Sequence, residues 1–136
     1  MYLHGQKRIA SDYLAALDQA NQLRRQIGPL FERYDMLLAP STSQTAKAHA
    51  TIDPNQDLGA KAFTRLRYHS EVFRPFANTT RQPDISLPLF QARDGNCISV
   101  HLMGRFGEDA TLLQVSAELE RALPWLQRRP PVHLSI

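Results

Sequence analysis

Tyr13, Leu17, Ala20, Leu23 and Ile27 recur three to four positions apart, the spacing that places apolar side chains along one face of a helix. Ser11 stands before this stripe as a candidate N-cap. Asp12 falls in the first turn, where a carboxylate meets the positive end of the helix dipole, so a helix is expected over 11–26. Gly28-Pro29 interrupts it, because proline has no N–H for the next backbone bond, and Pro29 can open a short second turn carrying Leu30 and Phe31. Met36-Leu37-Leu38-Ala39 is a continuous apolar run stopped by Pro40, the pattern of a strand covered on both faces.

From 41 to 59 the chain turns to Ser, Thr, Ala, Asp and Asn, a long loop of a length that in folded domains tends to carry function or lack order. A second helix is expected over 61–73, with Phe63, Leu66, Tyr68 and Phe73 apolar and Pro75 limiting it. The polar stretch 74–83 then leads into Ile85, Leu87 and Leu89, which alternate as a strand requires. Asp94-Gly95 signals a hairpin turn, after which Ile98, Val100 and Leu102 point to one face and Ser99, His101 and Met103 to the other. Gly107-Glu108-Asp109 opens a last helix whose apolar positions are Leu112, Val115, Leu119 and Ala122; Pro124 and Pro130-Pro131 close it.

Helices and strands interleave, which gives an α/β class: a small mixed sheet with one antiparallel hairpin, flanked by about three helices. A run such as Met36 to Ala39 wants cover on both faces, and three helices supply little of it. The pattern is that of part of a larger sheet.

Composition narrows this without redirecting it. The 136 residues suit a single domain over 1–136, and 43% hydrophobic with 21% charged residues is ordinary for a folded chain. The net charge of +3 comes from scattered residues, among them Lys7, Arg8, Arg24, Arg65, Arg74 and Arg128, and no basic helix gathers them for nucleic acid. No apolar run approaches the roughly 20 residues that span a bilayer, and the first residues lack a secretory apolar core. One cysteine, Cys97, excludes an internal disulfide and suits a reducing compartment, so the cytoplasm is the expected location.

Candidate chemistry is sparse. His4, His49, His69, His101 and His133 do not pair with another His, Cys or acid at a ligand spacing, so no metal and no cofactor is expected. His101 alone lies where it could line a cleft, on the strand face opposite Ile98, Val100 and Leu102, although plain strand packing is the favoured reading. Ser41-Thr42-Ser43 has no adjacent base to make a nucleophile of any hydroxyl, and reads as a loop start held by side-chain to backbone bonds. Cys97 reads as a buried or half-buried inert thiol, since no cation neighbours it in sequence.

Two stretches carry a resemblance: Arg-Pro-Phe-Ala-Asn-Thr-Thr-Arg-Gln-Pro-Asp-Ile-Ser-Leu-Pro at 74–88, and Asp-Gly-Asn-Cys-Ile-Ser-Val-His-Leu-Met-Gly-Arg-Phe-Gly-Glu-Asp-Ala-Thr-Leu-Leu at 94–113. Asp-Tyr-Leu-Ala-Ala-Leu at 12–17 and Phe-Glu-Arg-Tyr-Asp-Met-Leu-Leu-Ala-Pro at 31–40 add to them. In this order the four stretches resemble the last third of amidase signature enzymes, which hydrolyse carboxylic amides. The resemblance implies a partial amidase-like fold. It also implies that the family's chemistry, a serine nucleophile, a second serine in a cis peptide and a lysine base in a Gly/Ser-rich region, lies upstream of these stretches. Lys7, Lys47 and Lys61 are in no such setting, so no catalytic residue is assigned.

The family usually has glycine where this chain has Arg81, a small residue in place of Asp84, and glycine in place of Ser99. Drift and altered specificity both account for these changes. Phe76, Asn78, Thr79 and Thr80 fall in a segment that runs near the family's acyl-binding channel and are the candidate channel wall; use as a helix end and strand lead-in fits them equally. The resemblance therefore implies a non-catalytic C-terminal piece of an amidase, inactive alone, that meets a small amide only within a complete enzyme. Its partner is then a missing N-terminal amidase portion. The alternative is a self-associating interaction module, a homo-oligomer built on an uncovered sheet edge.

Overall fold

The first helix, α1, spans Ala10–Ile27, and the computed structural model describes residues 5–48, 59, 61, 62, 64, 65, 68 and 71–129. Ile9 rather than Ser11 occupies its N-cap, and the Asp12 carboxylate accepts the Ile9 N–H at 3.3 Å. An acid three residues into the helix satisfies an end donor that a capping hydroxyl would otherwise leave to water. Gly28–Glu32 continues as a 3-10 turn with Pro29 at its start and Phe31 buried, as the Gly-Pro pair foretold. Only the C-terminal part of the α1 stripe is covered. Ile27 is buried, Leu23 packs against the core, and Tyr13 and Leu17 are 66% and 41% exposed.

Met36–Pro40 forms β1, Asp84–Gln91 forms β2 and Cys97–Gly104 forms β3. Their order in the sheet is β1-β3-β2, with both pairings antiparallel. The sheet is therefore antiparallel throughout the described residues, not mixed: the chain between β1 and β2 returns so that β1 lies beside β3 rather than beside β2. β1 is an edge strand. Its middle residue, Leu38, is 72% exposed, so the cover on both faces that its apolar run demands is not supplied by the described residues.

Between β2 and β3 the chain makes a longer loop than Asp94-Gly95 suggested. Gly95 N–H donates to Ala92 O at 3.0 Å and Ala92 N–H to Asn96 O at 2.8 Å, so Arg93, Asp94 and Gly95 form the loop, with Gly95 at φ 83°. That is a turn closed by a left-handed glycine, the three-residue solution to a hairpin. Asp94 accepts the Asn96 N–H at 3.1 Å and its side-chain amide at 2.9 Å. These bonds, the backbone one first, hold the Asp94 carboxyl below its ordinary pKa by favouring its charged form. The strands slip register between Leu87 and Phe90, and there Arg128 donates to Pro88 O at 2.9 Å and to Leu89 O at 2.6 Å.

The residues before β2 depart from expectation. Lys61, Ala62, Thr64, Arg65 and Tyr68 are helical, while Phe63, Leu66 and most of the 49–60 loop lie outside the described residues. Pro75 does not merely limit that helix; it starts another, α2, over Arg74–Thr80. Proline at the first turn gives up only an N–H that has no helical partner, and its fixed φ suits the helix. The final helix, α3, spans Asp109–Ala122 with Leu112 buried, close to the span its periodicity called for.

Two apolar clusters result, one on each face of the sheet. Ile27, Phe31, Ala77 and Met103 form the first, between the sheet, the C-terminal part of α1 and α2, with Leu23, Leu37 and Phe76 against them. Leu87, Leu89, Leu102 and Leu112 form the second, under α3. Adjacent residues of β3 thus serve opposite faces, Leu102 toward α3 and Met103 toward α1, as strand alternation requires.

Candidate functional site

On the side of the sheet opposite α3 lie His101, Ser41 and Thr80, three of the buried polar residues among those described; the fourth, Ser116, is in α3 itself. On β3, His101 lies opposite Ala39 of β1 and Ser86 of β2, and Met103 lies opposite Leu37 and Asp84. Register therefore sends His101, Asp84 and Ser86 to one face, with Met103 marking where that face meets the apolar core. His101 is 1% exposed, and its Nε2 donates to a carboxylate oxygen of Asp84 at 2.5 Å, while the Asp84 side chain keeps 37% of its surface in solvent. His101 Nδ1 is buried with no partner among the described residues. One strand over, the hydroxyls of Ser41 and Ser86 meet at 2.5 Å, and the Ser41 N–H donates to Ser99 O at 3.0 Å, carrying β1 pairing one residue further.

This arrangement accounts for the acid at position 84. Across the strand pair, Asp84 meets an imidazole that would otherwise be buried without a partner. What Asp84 does not make is a nucleophile: the histidine's contact is a carboxylate, and the paired hydroxyls touch each other rather than a base. A proton acceptor in reach of a hydroxyl is what acyl transfer needs.

Alongside this face runs α2 with the four channel candidates. Thr80 is buried, and its hydroxyl donates to Phe76 O at 2.8 Å within its own helix. Phe76 is half-buried against the first apolar cluster. Asn78 is exposed and Thr79 half-buried, and these two, with Thr64, Tyr68 and Arg74, line a cavity of about 300 Å³. The Thr79 hydroxyl donates back to Pro75 O at 2.7 Å, and Arg24 of α1 donates to Thr79 O at 3.0 Å, placing a cation at the helix's negative end. The structure thus brings Asn78 and Thr79 together at a cavity and turns Phe76 and Thr80 inward.

At the end of α2 stands Arg81, at φ 62° and ψ 29°. It is the one non-glycine residue with positive φ among the described residues. The N–H groups of Arg81 and Gln82 both aim at Ala77 O, the left-handed helix ending that glycine adopts without strain. The backbone at this position favours glycine, and arginine adopts it under strain. Ser99, by contrast, is ordinary strand. Asn78 and Arg81 also line a second concavity of about 350 Å³, with Gln82 and Phe106.

Other sequence readings divide. Thr42 donates to Gln44 O at 2.7 Å, the side-chain to backbone bond expected of the loop start, whereas Ser41 is buried and pairs with Ser86. Cys97 is exposed, not buried or half-buried, because it begins β3 beside the open hairpin turn. His4, His49, His69 and His133 lie outside the described residues. Among the described residues no three His, Cys, Asp or Glu side chains gather as metal ligands, and no helix is long and apolar enough to cross a membrane. Sequence reasoning missed the Ser41–Ser86 contact and the His101–Asp84 pair; alternation placed His101 and Ser99 on one face, but only register could bring partners from other strands.

Comparison with known proteins covers most of the chain. The family model described as Amidase matches residues 1–113. The 6-aminohexanoate-cyclic-dimer hydrolase of Paenarthrobacter ureafaciens is 50% identical over 101 residues, which are 71% of this chain and 20% of that protein. An amidase of Pseudomonas putida is 30% identical over 126 residues, 89% of this chain and 25% of that protein. A solved structure of 6-aminohexanoate cyclic dimer hydrolase superposes with a TM-score of 0.76 at 26% identity, covering 93% of this chain and 27% of its own. The chain spans about a quarter of the length of the relatives it matches.

Proposed function

This chain belongs to the amidase family, and we propose that it supplies scaffold and substrate-channel wall to an amidase whose bond-breaking residues lie outside it. The observation that carries this reading is the pairing of two coverages, most of this chain but about a quarter of each relative. Most of each relative lies outside the matched share, which leaves room for a centre assembled elsewhere in the fold. The described polar contacts fit that role. The buried histidine is held by a carboxylate, and the threonine hydroxyls of α2 bond to their own helix, so they stiffen a wall.

On this reading the 136 residues form one C-terminal unit, and the complete enzyme hydrolyses a carboxylic amide C–N bond in the cytoplasm without a cofactor. Asn78 and Thr79 face the amide along the cavity of about 300 Å³, and Phe76 and Thr80 fix the backbone behind them. A hydroxyl and a side-chain amide offer both donor and acceptor to a neutral amide. The purified chain is expected to leave aliphatic and aryl amides intact in a chromogenic or ammonia-release assay. Hydrolysis that a serine-directed inhibitor abolishes would overturn the reading.

A self-associating module is the competing function, favoured by the uncovered edge of β1. Light scattering that gives a monomer across micromolar concentrations removes it.

A further inference from the structure

After α3 the chain returns to the far end of β2. The Arg128 N–H donates to Trp125 O at 3.0 Å, a turn that sets indole and guanidinium on one cavity of about 480 Å³, with Pro88, Gln91, Cys97 and Arg129. That volume falls within the roughly 300–1,000 Å³ of small-molecule sites. Trp125 is half-buried and packs against the apolar cluster under α3, so it presents a fixed apolar wall. Arg128 is half-buried too, and its guanidinium donates to Pro88 O and Leu89 O at 2.9 and 2.6 Å. Both acceptors are neutral carbonyls. Arg129 beside it is exposed. Among the described residues no carboxylate lines the cavity, and that of Asp94, in the hairpin turn beside Gly95, is held by Asn96.

We propose that this cavity binds a small aromatic carboxylate, its ring on Trp125 and its charged end at Arg129, with the positive charge of Arg128 behind it. Two cations with no acid between them favour an anion, and a guanidinium meets the two oxygens of a carboxylate with two parallel N–H donors. An indole and a proline favour a flat apolar body over a bare ion. Inorganic phosphate would satisfy the cations and leave the apolar wall uncovered. The site shares no described lining residue with the cavity at Asn78 and Thr79, so it goes beyond the channel-wall reading and does not depend on it.

The chain carries one tryptophan and one cysteine, and both line this cavity, so each serves as its reporter. Titrating the purified chain with hydrocinnamate, excited at the red edge of indole absorption, should change Trp125 fluorescence saturably. The expected Kd is on the order of 1 mM, the affinity open to about a dozen non-hydrogen atoms. The same concentrations should slow alkylation of Cys97 by iodoacetamide. Hydrocinnamyl alcohol has the ring without the charge and acetate the charge without the ring; each should bind at least about fivefold more weakly. Arg129→Gln should weaken hydrocinnamate binding by about the same factor, whereas Arg25→Gln, which removes an equal charge from an exposed position on α1, should leave it unchanged. The ligand series uses the unaltered chain, so it decides the matter even where a substitution disturbs folding. No saturable change, a fluorescence change that leaves Cys97 unprotected, or an alcohol that binds as tightly as the acid overturns the site. So does an Arg129→Gln chain that binds hydrocinnamate as tightly as the parent.

Discussion

Arg81→Gly isolates one strained residue and should stabilise the chain. Arg81 sits at φ 62° and ψ 29°, where its Cβ crowds the backbone, and it ends α2 with its own N–H and that of Gln82 aimed at Ala77 O. Holding an L-residue there costs about 1–2 kcal/mol. Glycine removes that strain but gives the unfolded chain more freedom, which returns about 0.4–1 kcal/mol. Taking the middle of each range, the net gain is about 0.8 kcal/mol. In a chain of 136 residues this raises the melting temperature by about 2–4 °C. Urea unfolding followed by circular dichroism should show a higher midpoint with an unchanged slope. Arg81→Ala is the control, because it discards the guanidinium and keeps the Cβ; it should stay within about 0.5 kcal/mol of the parent. Equal stabilisation by alanine and glycine would assign the effect to the lost charge and refute the backbone argument, and so would a glycine variant no more stable than the parent.

Asp84→Ala should lower stability by about 1–2 kcal/mol in the same urea experiment. It strips the partner from a histidine that is 1% exposed, and the lower half of the usual range applies because solvent already reaches the carboxylate side. Asp84→Asn keeps an acceptor and should lose less; equal stability for all three chains would mean the pair contributes nothing. Asp94 should titrate below the ordinary aspartate range by carbon-detected NMR, because the Asn96 backbone N–H and then its side chain bond to the charged form. With its folded pKa depressed, the support this turn gains from the carboxylate is present above the ordinary value and is lost as the pH falls through the lowered one. A midpoint at or above the ordinary value contradicts the hydrogen bonds described.

Much of the fold was written in local pattern. The 3.6 period of α1 and α3, the Gly-Pro break after Ile27, and the alternation of β2 and β3 each depend on residues a few positions apart, so they can be read without coordinates. The same holds for the family, whose residues recur in order along one chain. Where local signals competed, reading failed. Pro75 can end one helix or begin another, and only the packing of Phe76 and Ala77 onto Ile27 and Phe31 selects the second. Ser11 yielded the cap position to Ile9 because Asp12 reached the end N–H instead.

Tertiary structure alone decided how β1 pairs, since strand order rests on contacts between residues about sixty or more apart. That pairing brings Ser41 to Ser86, and the β2–β3 register sets His101 against Asp84, contacts that no spacing in the sequence encodes. It also leaves Leu38 and half of the α1 stripe open. Periodicity fixes which side chains want cover; which of them receive it depends on what the rest of the chain brings to that face.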